Sequence, residues 1–405
     1  MANSNMQDSI CQKSGTIVEH KIHHKGTRRI TPHASRLTPH DSPLIPHSSL
    51  VSFWVSLGKN GEPMEVVILD SGYKSYDFEK KLFENNGFIL KIFHSYEGAL
   101  AAKRDFAKNA DGILVRHTRI DEGFLSEMKN LKAIVRYGVG YDNIDIAACT
   151  RHGVKVANVQ GYANHSVSDH AMALMFSCTR GMWDTKNQLV QKFAAPPVPD
   201  IFELHDKTLG IIGVGRIGSE FCKKASPVFM RVLAADPYKP DDHFRMLNAQ
   251  RTGLDELLKE SDVISIHCNL MDETRHLLNS DRFGLTRKRP VIINTSRGEV
   301  ISEEALLEAL NSGTIHSAGL DVYENEPLTD KQSQLVNHPR TICTGHYAWY
   351  SDRASAELQR RAAINLVSFL TGNVVEDCLN CISSPSPRER GNEGMRLSTP
   401  ASPVK

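Results

Sequence analysis

The stretch TLGIIGVGRIGSEF sets glycines at 213, 215 and 218 between an apolar run and a helical pattern. Between a strand and a helix, the G-x-G-x-x-G spacing has a physical use. Gly213 permits a tight turn, Gly215 lets a pyrophosphate approach the backbone, and Gly218 lets helix and strand pack closely. The helix N-terminus then offers free N–H groups and a partial positive charge to the phosphates. Arg216 adds a full charge there, and Ile217 completes the phosphate-side set. Asp236 ends the next apolar run, in LAADPY, about twenty residues beyond the glycines, where a ribose-binding acid belongs. Its carboxylate suits two ribose hydroxyls and repels a 2′-phosphate, so these residues point to NAD rather than NADP.

Three further segments carry charge where apolar runs end: NTSRGEV with Arg297, LDVYENEP with Asp321, Glu324 and Glu326, and TGHYAWYS with His346. Burying an anion without a partner is costly, so three carboxylates at the end of a buried strand need a reason. In a doubly wound sheet, ligands bind beyond the C-terminal ends of the strands. Arg297, Glu326 and His346 are therefore expected to converge on the nicotinamide.

The elements that must position these residues are legible as short apolar runs alternating with helical patterns, the mark of parallel sheets with crossover helices. EVVILD, FILKIF, GILVRH, AIVRYG and VKVANV form a first group of strands, with helical segments such as YDFEKKLFENN between them. A long helical pattern follows in HSVSDHAMALMFSCTRGMWDTKNQL. There Ser166 and Asp169 have capping-box spacing, and Met172, Met175, Met182 and Trp183 read as core. A second group of strands is TLGIIG, RVLAAD, DVISIH, PVIINT, SAGLDV and TICTGH. Past them, SDRASAELQRRAAINLVSFLTG is an amphipathic helix with no strand of its own, and the first group is its natural host.

At 405 residues the chain implies two or three domains. A hydrophobic content of 40%, a charged content of 23% and a net charge of +1 describe an ordinary soluble protein, with no electrostatic case for nucleic acid or membrane. No apolar run reaches bilayer length. The eight cysteines are scattered, which suits a reducing, cytoplasmic setting. Cys378 and Cys381 form a C-x-x-C that reads as two incidental thiols, and no metal site is expected. Residues 1–62 carry a degenerate repeat, TPHASRL, TPHDSPL and IPHSSL, with His33, His40 and His47 in register. Such polar, proline-locked sequence reads as a disordered extension, as do residues 383–405, and the functional chain is expected to start near Met64.

From about Met64 to Asn380 the chain resembles the D-isomer-specific 2-hydroxyacid dehydrogenase family, through VRYGVGYDNIDI, LGIIGVGRIG, INTSRGEVISEEAL, GLDVYENEP and TGHYAWYS. Within it, the branch that includes the C-terminal binding proteins is the most similar. The resemblance implies an α/β fold of two doubly wound parallel-sheet domains. A Rossmann NAD-binding domain, 164–346, is inserted in a flavodoxin-like substrate domain, 64–163 and 347–382, and a homodimer is usual. By motif, Arg297 binds a 2-oxo acid, His346 exchanges the proton, and Glu326 hydrogen-bonds the imidazole, which favours imidazolium and raises a histidine's pKa. Asp321 falls against the nicotinamide, and His267, Thr295 and Ser296 line the cofactor cleft. Glu324 has no counterpart and reads as solvated. From the first group of strands, Arg136 and the amides of Val139 and Gly140 meet the substrate carboxylate, while Trp349 and Tyr137 wall the pocket and suit a bulky or apolar substrate side chain.

The chain departs from the family at Gly345, where proline is common before the histidine, and at Asp169, where glutamate is usual. Gly345 is expected to loosen the histidine loop. The function implied is NAD-dependent interconversion of a D-2-hydroxy acid and a 2-oxo acid. Two alternatives remain open: an NAD-gated protein-binding scaffold, and a short form of phosphoglycerate dehydrogenase.

Overall fold

The apolar runs become strands because helices cover them from both sides, which is the condition under which a parallel sheet is stable. In β1 (Glu65–Ile68) the residues Val66, Val67 and Ile68 are wholly buried, and β3 (Gly112–Val115) is buried throughout. The computed structural model describes residues 61–94, 99–182, 200–328 and 333–381. The histidine repeat at His33, His40 and His47, Trp183, and the tail from 383 onward lie outside these residues.

With β2 (Ile89–Ile92), β4 (Ala133–Arg136) and β5 (Lys155–Ala157), the first sheet has the order β2-β1-β3-β4-β5, every pair parallel. This is the flavodoxin-like order, with its switch point between β1 and β3. The second sheet contains β6 (Thr208–Ile212), β7 (Arg231–Ala235), β8 (Gln250–Arg251), β9 (Val263–Ile266), β10 (Val291–Asn294), β11 (Ser317–Leu320) and β12 (Thr341–Cys343). Its order, β12-β11-β10-β9-β6-β7-β8, is again all parallel and is the dinucleotide-binding arrangement extended by one strand. Its switch point falls between β6 and β9, where the glycine triplet follows β6. The two-residue β8 had no recognisable apolar run to announce it.

Both sheets lie within one unit of the chain, Phe53–Lys405. The helix Asp352–Leu370 packs on β3, β4 and the helix Asp77–Asn85 of the first sheet. Methyls of Leu366 and Leu370 come to 3.0 Å of where a Cβ on Gly112 would stand, so any larger residue there would push these side chains back. The helix Asn164–Thr179 instead covers β10 and β11 of the second sheet, with Leu174, Met175 and Cys178 buried. Among the described residues no helix is long and apolar enough to cross a membrane.

Three local expectations are overturned. Ser166 and Asp169 form no capping box, because the helix already begins at Asn164: Ser166 bonds the Ser351 hydroxyl at 2.9 Å, and Asp169 pairs with Lys224 at 2.8 Å. Met182 is exposed rather than core. Cys378 and Cys381 are joined in a disulfide, their Cα atoms 5.7 Å apart, because Leu379 and Asn380 pin this segment onto β5 and curl the C-x-x-C into a tight turn.

Candidate active site

After β6 the chain turns sharply at Gly213 (φ +85), where a Cβ would meet the Cys268 amide at 2.7 Å. A Cβ on Gly218 would stand 2.0 Å from the Gly213 carbonyl oxygen, so the helix Arg216–Ala225 closes on the loop only with glycine there. Above Gly215, the N-cap, a Cβ would meet nothing within 4 Å. That open ground at a helix N-terminus is what a pyrophosphate needs. Ile217 packs into the apolar cluster of Val167 and Ala348, and Arg216 reaches the Gln160 carboxamide. Asp236 closes the loop from the side, accepting from the Val214 amide with one oxygen and from the Tyr238 amide with the other.

His267, expected along the cleft, turns its ring inward onto Phe221, 4.8 Å between centroids, and bonds Ser265 at 2.8 Å. Burial pushes this imidazole down to about 3, so it is neutral. Thr295 is buried, its hydroxyl without a partner among the described residues.

The turn that presents Arg297 is shaped by Asn294. Its side-chain oxygen accepts from the Ser296 amide and hydroxyl, and its NH2 donates to the Arg297 carbonyl at 2.9 Å. Gly298 then lets the turn stack on the next strand end, since a Cβ there would fall 1.9 Å from the Tyr323 carbonyl carbon. Backbone contact thus sets Arg297 against the acid-bearing segment. Nothing in the sequence reading singled out Asn294 or Gly298, although both lie in the quoted motif.

The three acids of LDVYENEP separate into three roles. Asp321 is 1% exposed, and its carboxylate binds the histidine loop: it accepts from the Thr344 hydroxyl at 2.5 Å and from the amides of Tyr347 and Ala348. Glu324 is not solvated but joins Glu303 in reciprocal bonds to each other's amides, at 3.1 and 2.8 Å, and pairs with His276. Glu326 places Oε2 2.5 Å from His346 Nδ1 while Oε1 accepts from the Tyr323 amide. Burial raises the Glu326 carboxyl, but the His346 imidazole, the Tyr323 amide and Arg297 outweigh it and hold it below its usual value. With Nδ1 on the carboxylate, Nε2 is the ring nitrogen left to exchange a proton.

From the first sheet, the Gly138–Gly140 loop faces this group. A Cβ on Gly140 would lie 1.9 Å from Arg297 Nη2, and one on Gly138 1.5 Å from Arg136 Nη1, so two guanidiniums stand over one short turn. The Val139 and Gly140 amides donate to no acceptor among the described residues. Arg297 Nε also faces Asp142 at 3.4 Å. Trp349 is half-buried, tilted against Tyr162 and edge-to-face with Tyr350. Tyr137 walls no pocket: it is 2% exposed and bonds Glu79 beneath the loop, because its place after β4 directs it to the core.

The switch point of the first sheet is set by a residue outside the motifs above. Asp70, 1% exposed after β1, accepts from Lys103, from the Thr118 hydroxyl and from the amides of Arg116, His117 and Thr118. This fixes the loop after β3 and presents Arg116 and His117. An acid at a strand end in EVVILD was the available signal.

Residues 172–348 match the family model described as D-isomer specific 2-hydroxyacid dehydrogenase, NAD binding domain. A hydroxypyruvate reductase of Thermotoga maritima is 38% identical over 270 residues, 64% of this chain and 82% of that protein. A glyoxylate/hydroxypyruvate reductase B of Serratia proteamaculans is 34% identical over 295 residues, 71% of this chain and 90% of that protein. The solved D-lactate dehydrogenase of Aquifex aeolicus, complexed with NAD and lactic acid, superposes with a TM-score of 0.68 at 29% identity, over 76% of this chain and 96% of that one. The chain belongs to the D-isomer specific 2-hydroxyacid dehydrogenase family, an NAD-dependent oxidoreductase whose cofactor domain is built on the glycine loop after β6.

Proposed function

We propose that this dehydrogenase interconverts a D-2-hydroxy acid and a 2-oxo acid where Arg297, Glu326 and His346 face the Gly138–Gly140 loop. The observation that carries the reading is the 2.5 Å contact of His346 Nδ1 with Glu326 beside a turn that sets Arg297. Gly213, Gly215, Arg216, Ile217 and Gly218 hold the cofactor phosphates, Asp236 the ribose, and Thr295 and Ser296 the nicotinamide end. NADH, when bound, supplies the hydride to the carbonyl carbon. Arg297 grips the substrate carboxylate and carbonyl oxygen in its planar fork, a task a point-charge lysine performs poorly. The Val139 and Gly140 amides, with Arg136, take the carboxylate from the other side. His346 Nε2 gives its proton to the carbonyl oxygen as the hydride arrives, and recovers it in oxidation. Glu326 fixes the ring and stabilises the imidazolium.

The cleft lies between a substrate domain of residues 64–163 and 347–382 and a cofactor domain of 164–346, and the family's usual homodimer is the assembly expected. His346→Ala is expected to lower kcat by about 10²–10⁴-fold, the range of a lost general acid, with NADH binding by fluorescence retained. Unchanged turnover would end this reading.

A further inference from the structure

We propose that the substrate carries a second anionic group, a carboxylate or phosphate ester remote from the reacting carbon, and that Arg116 receives it. The inference rests on the reading above, in which Arg297 takes the 2-oxo acid's own carboxylate. That carboxylate is amply served, since the Arg297 fork, two free amides and Arg136 offer more donors than its oxygens accept. Yet a third guanidinium, Arg116, lies beside Trp349, three residues past His346.

Arg116 lies across the rings of Tyr73 and Trp349, 5.6 and 5.0 Å from their centroids. Two aromatic faces hold its plane and leave its N–H edge to point at a ligand. Among the described residues the Arg116 side chain makes no hydrogen bond or ion pair, and neither does Arg136, whose Nε is closed off from solvent. Beside both, the Tyr73 hydroxyl is also shut away without a partner. Asp70, the buried acid that accepts from the Arg116 amide, gives its remaining capacity to Lys103, Thr118 and two further amides rather than to the Arg116 guanidinium. Burial above all, with Arg116 and Arg136 adding to it, pushes the neighbouring His117 down to about 4. Cations and a hydroxyl with no counterpart are tolerated where an incoming anion completes them. Trp349 follows His346 by three residues, so Arg116 borders the loop that carries the proton donor. The bulky or apolar substrate side chain suggested by Trp349 and Tyr137 therefore gives way to a charged one, Tyr137 being in the core.

The test is kcat/KM of the full chain with NADH. Pyruvate and hydroxypyruvate serve as monoanions, oxaloacetate and 2-oxoglutarate as dicarboxylates, and 3-phosphohydroxypyruvate as the phosphate ester. At least one dianion should exceed both monoanions by about tenfold or more, an advantage that shrinks with added salt. Arg116→Gln should cut the dianion-to-monoanion ratio by about 10–100-fold, the worth of charge-assisted hydrogen bonds, and Arg116→Lys should restore part of it. The better of the carboxylate and phosphate arms identifies the group. Preference for monoanions, or a ratio untouched by Arg116→Gln in a variant that melts like the parent, overturns the inference and leaves Arg297 and His346 in their roles. Failure to turn over any 2-oxo acid overturns both.

Discussion

Replacing Gly140 with alanine tests the position of the Arg297 fork without altering any reacting group. The Gly140 backbone lies outside the left-handed region, so alanine brings no strain. By restricting the unfolded chain, the change should contribute about 0.4–1 kcal/mol of stability. The new Cβ would fall 1.9 Å from Nη2 and 3.1 Å from Cζ of Arg297, and 3.1 Å from an Asp142 oxygen. Non-bonded atoms settle at about 3.5 Å, so the guanidinium, the free end of a flexible side chain, must retreat by roughly 1.5 Å. A shift on the order of 1 Å at a substrate-positioning group costs about 10²-fold. That corresponds to about 2.7 kcal/mol of transition-state stabilisation. The assay is kcat/KM for the preferred 2-oxo acid alongside a thermal melt. A fall of this size in a protein that melts at or slightly above the parent temperature is expected. Full activity in the alanine variant would refute the placement of Arg297 over this loop.

Glu326→Gln should lower kcat by about 10–10²-fold with little change in KM, since it removes the imidazolium's partner rather than a substrate contact. Because the Glu326 carboxyl is held below its usual value, the activity it supports persists as pH falls and is lost only below the range of a free glutamate. The acid limb of the rate profile should therefore change in the variant. Arg136→Met should raise the melting temperature and lower kcat/KM together, because a buried cation without an acceptor often costs more than an apolar replacement. A lower melting temperature would show that the guanidinium has a structural partner. At Asp70, burial raises the carboxyl, but Lys103, Thr118 and the loop amides outweigh it and hold it well below the usual carboxylate range. Its folded pKa being depressed, Asp70 contributes stability in full above the unfolded value and loses it as pH falls through the folded one. Asp70→Asn, which strips Lys103 of its carboxylate, should cost about 3–5 kcal/mol at neutral pH by urea unfolding. The gap to the parent should narrow only in acid below about pH 4. A gap independent of pH would place the effect elsewhere.

What could be read in advance divides along a physical line. The strands of both sheets were legible because parallel strands covered on both faces are continuous apolar runs, and β8 was not because two exposed residues carry no such pattern. Gly213 and Gly218 were legible because each does something only glycine can do with its backbone, through a positive φ or a close approach that leaves a mark in the sequence. Side-chain partnerships across the chain leave none. Ser166 and Asp169 have cap spacing, but Ser351 and Lys224 stand opposite them in the fold, and tertiary contact prevails over local pattern. Glu324 read as solvated because its partner, the Glu303 amide, lies 21 residues away. Arg116 went unnoticed for the same reason: its setting comes from Tyr73 on one loop and Trp349 on another, neither near it in sequence.

The acid cluster LDVYENEP shows how a strand end can hold three carboxylates without penalty. His346 has φ +52, a left-handed conformation that costs an ordinary residue about 1–2 kcal/mol. Gly345 precedes it, and Asp321 holds the loop from outside. The Asp321 carbonyl accepts from the His346 amide at 2.8 Å, while its carboxylate takes the Thr344 hydroxyl and the amides of Tyr347 and Ala348. Bonds to a charged acceptor contribute about 1.5–3 kcal/mol each, so together they exceed the backbone strain. Glu324 secures the neighbouring helix Glu303–Ser312 in the same manner, through an amide rather than a cation. Glu326 is the acid of the three that bonds the His346 ring, and the other two fix the loop and the helix on either side of it.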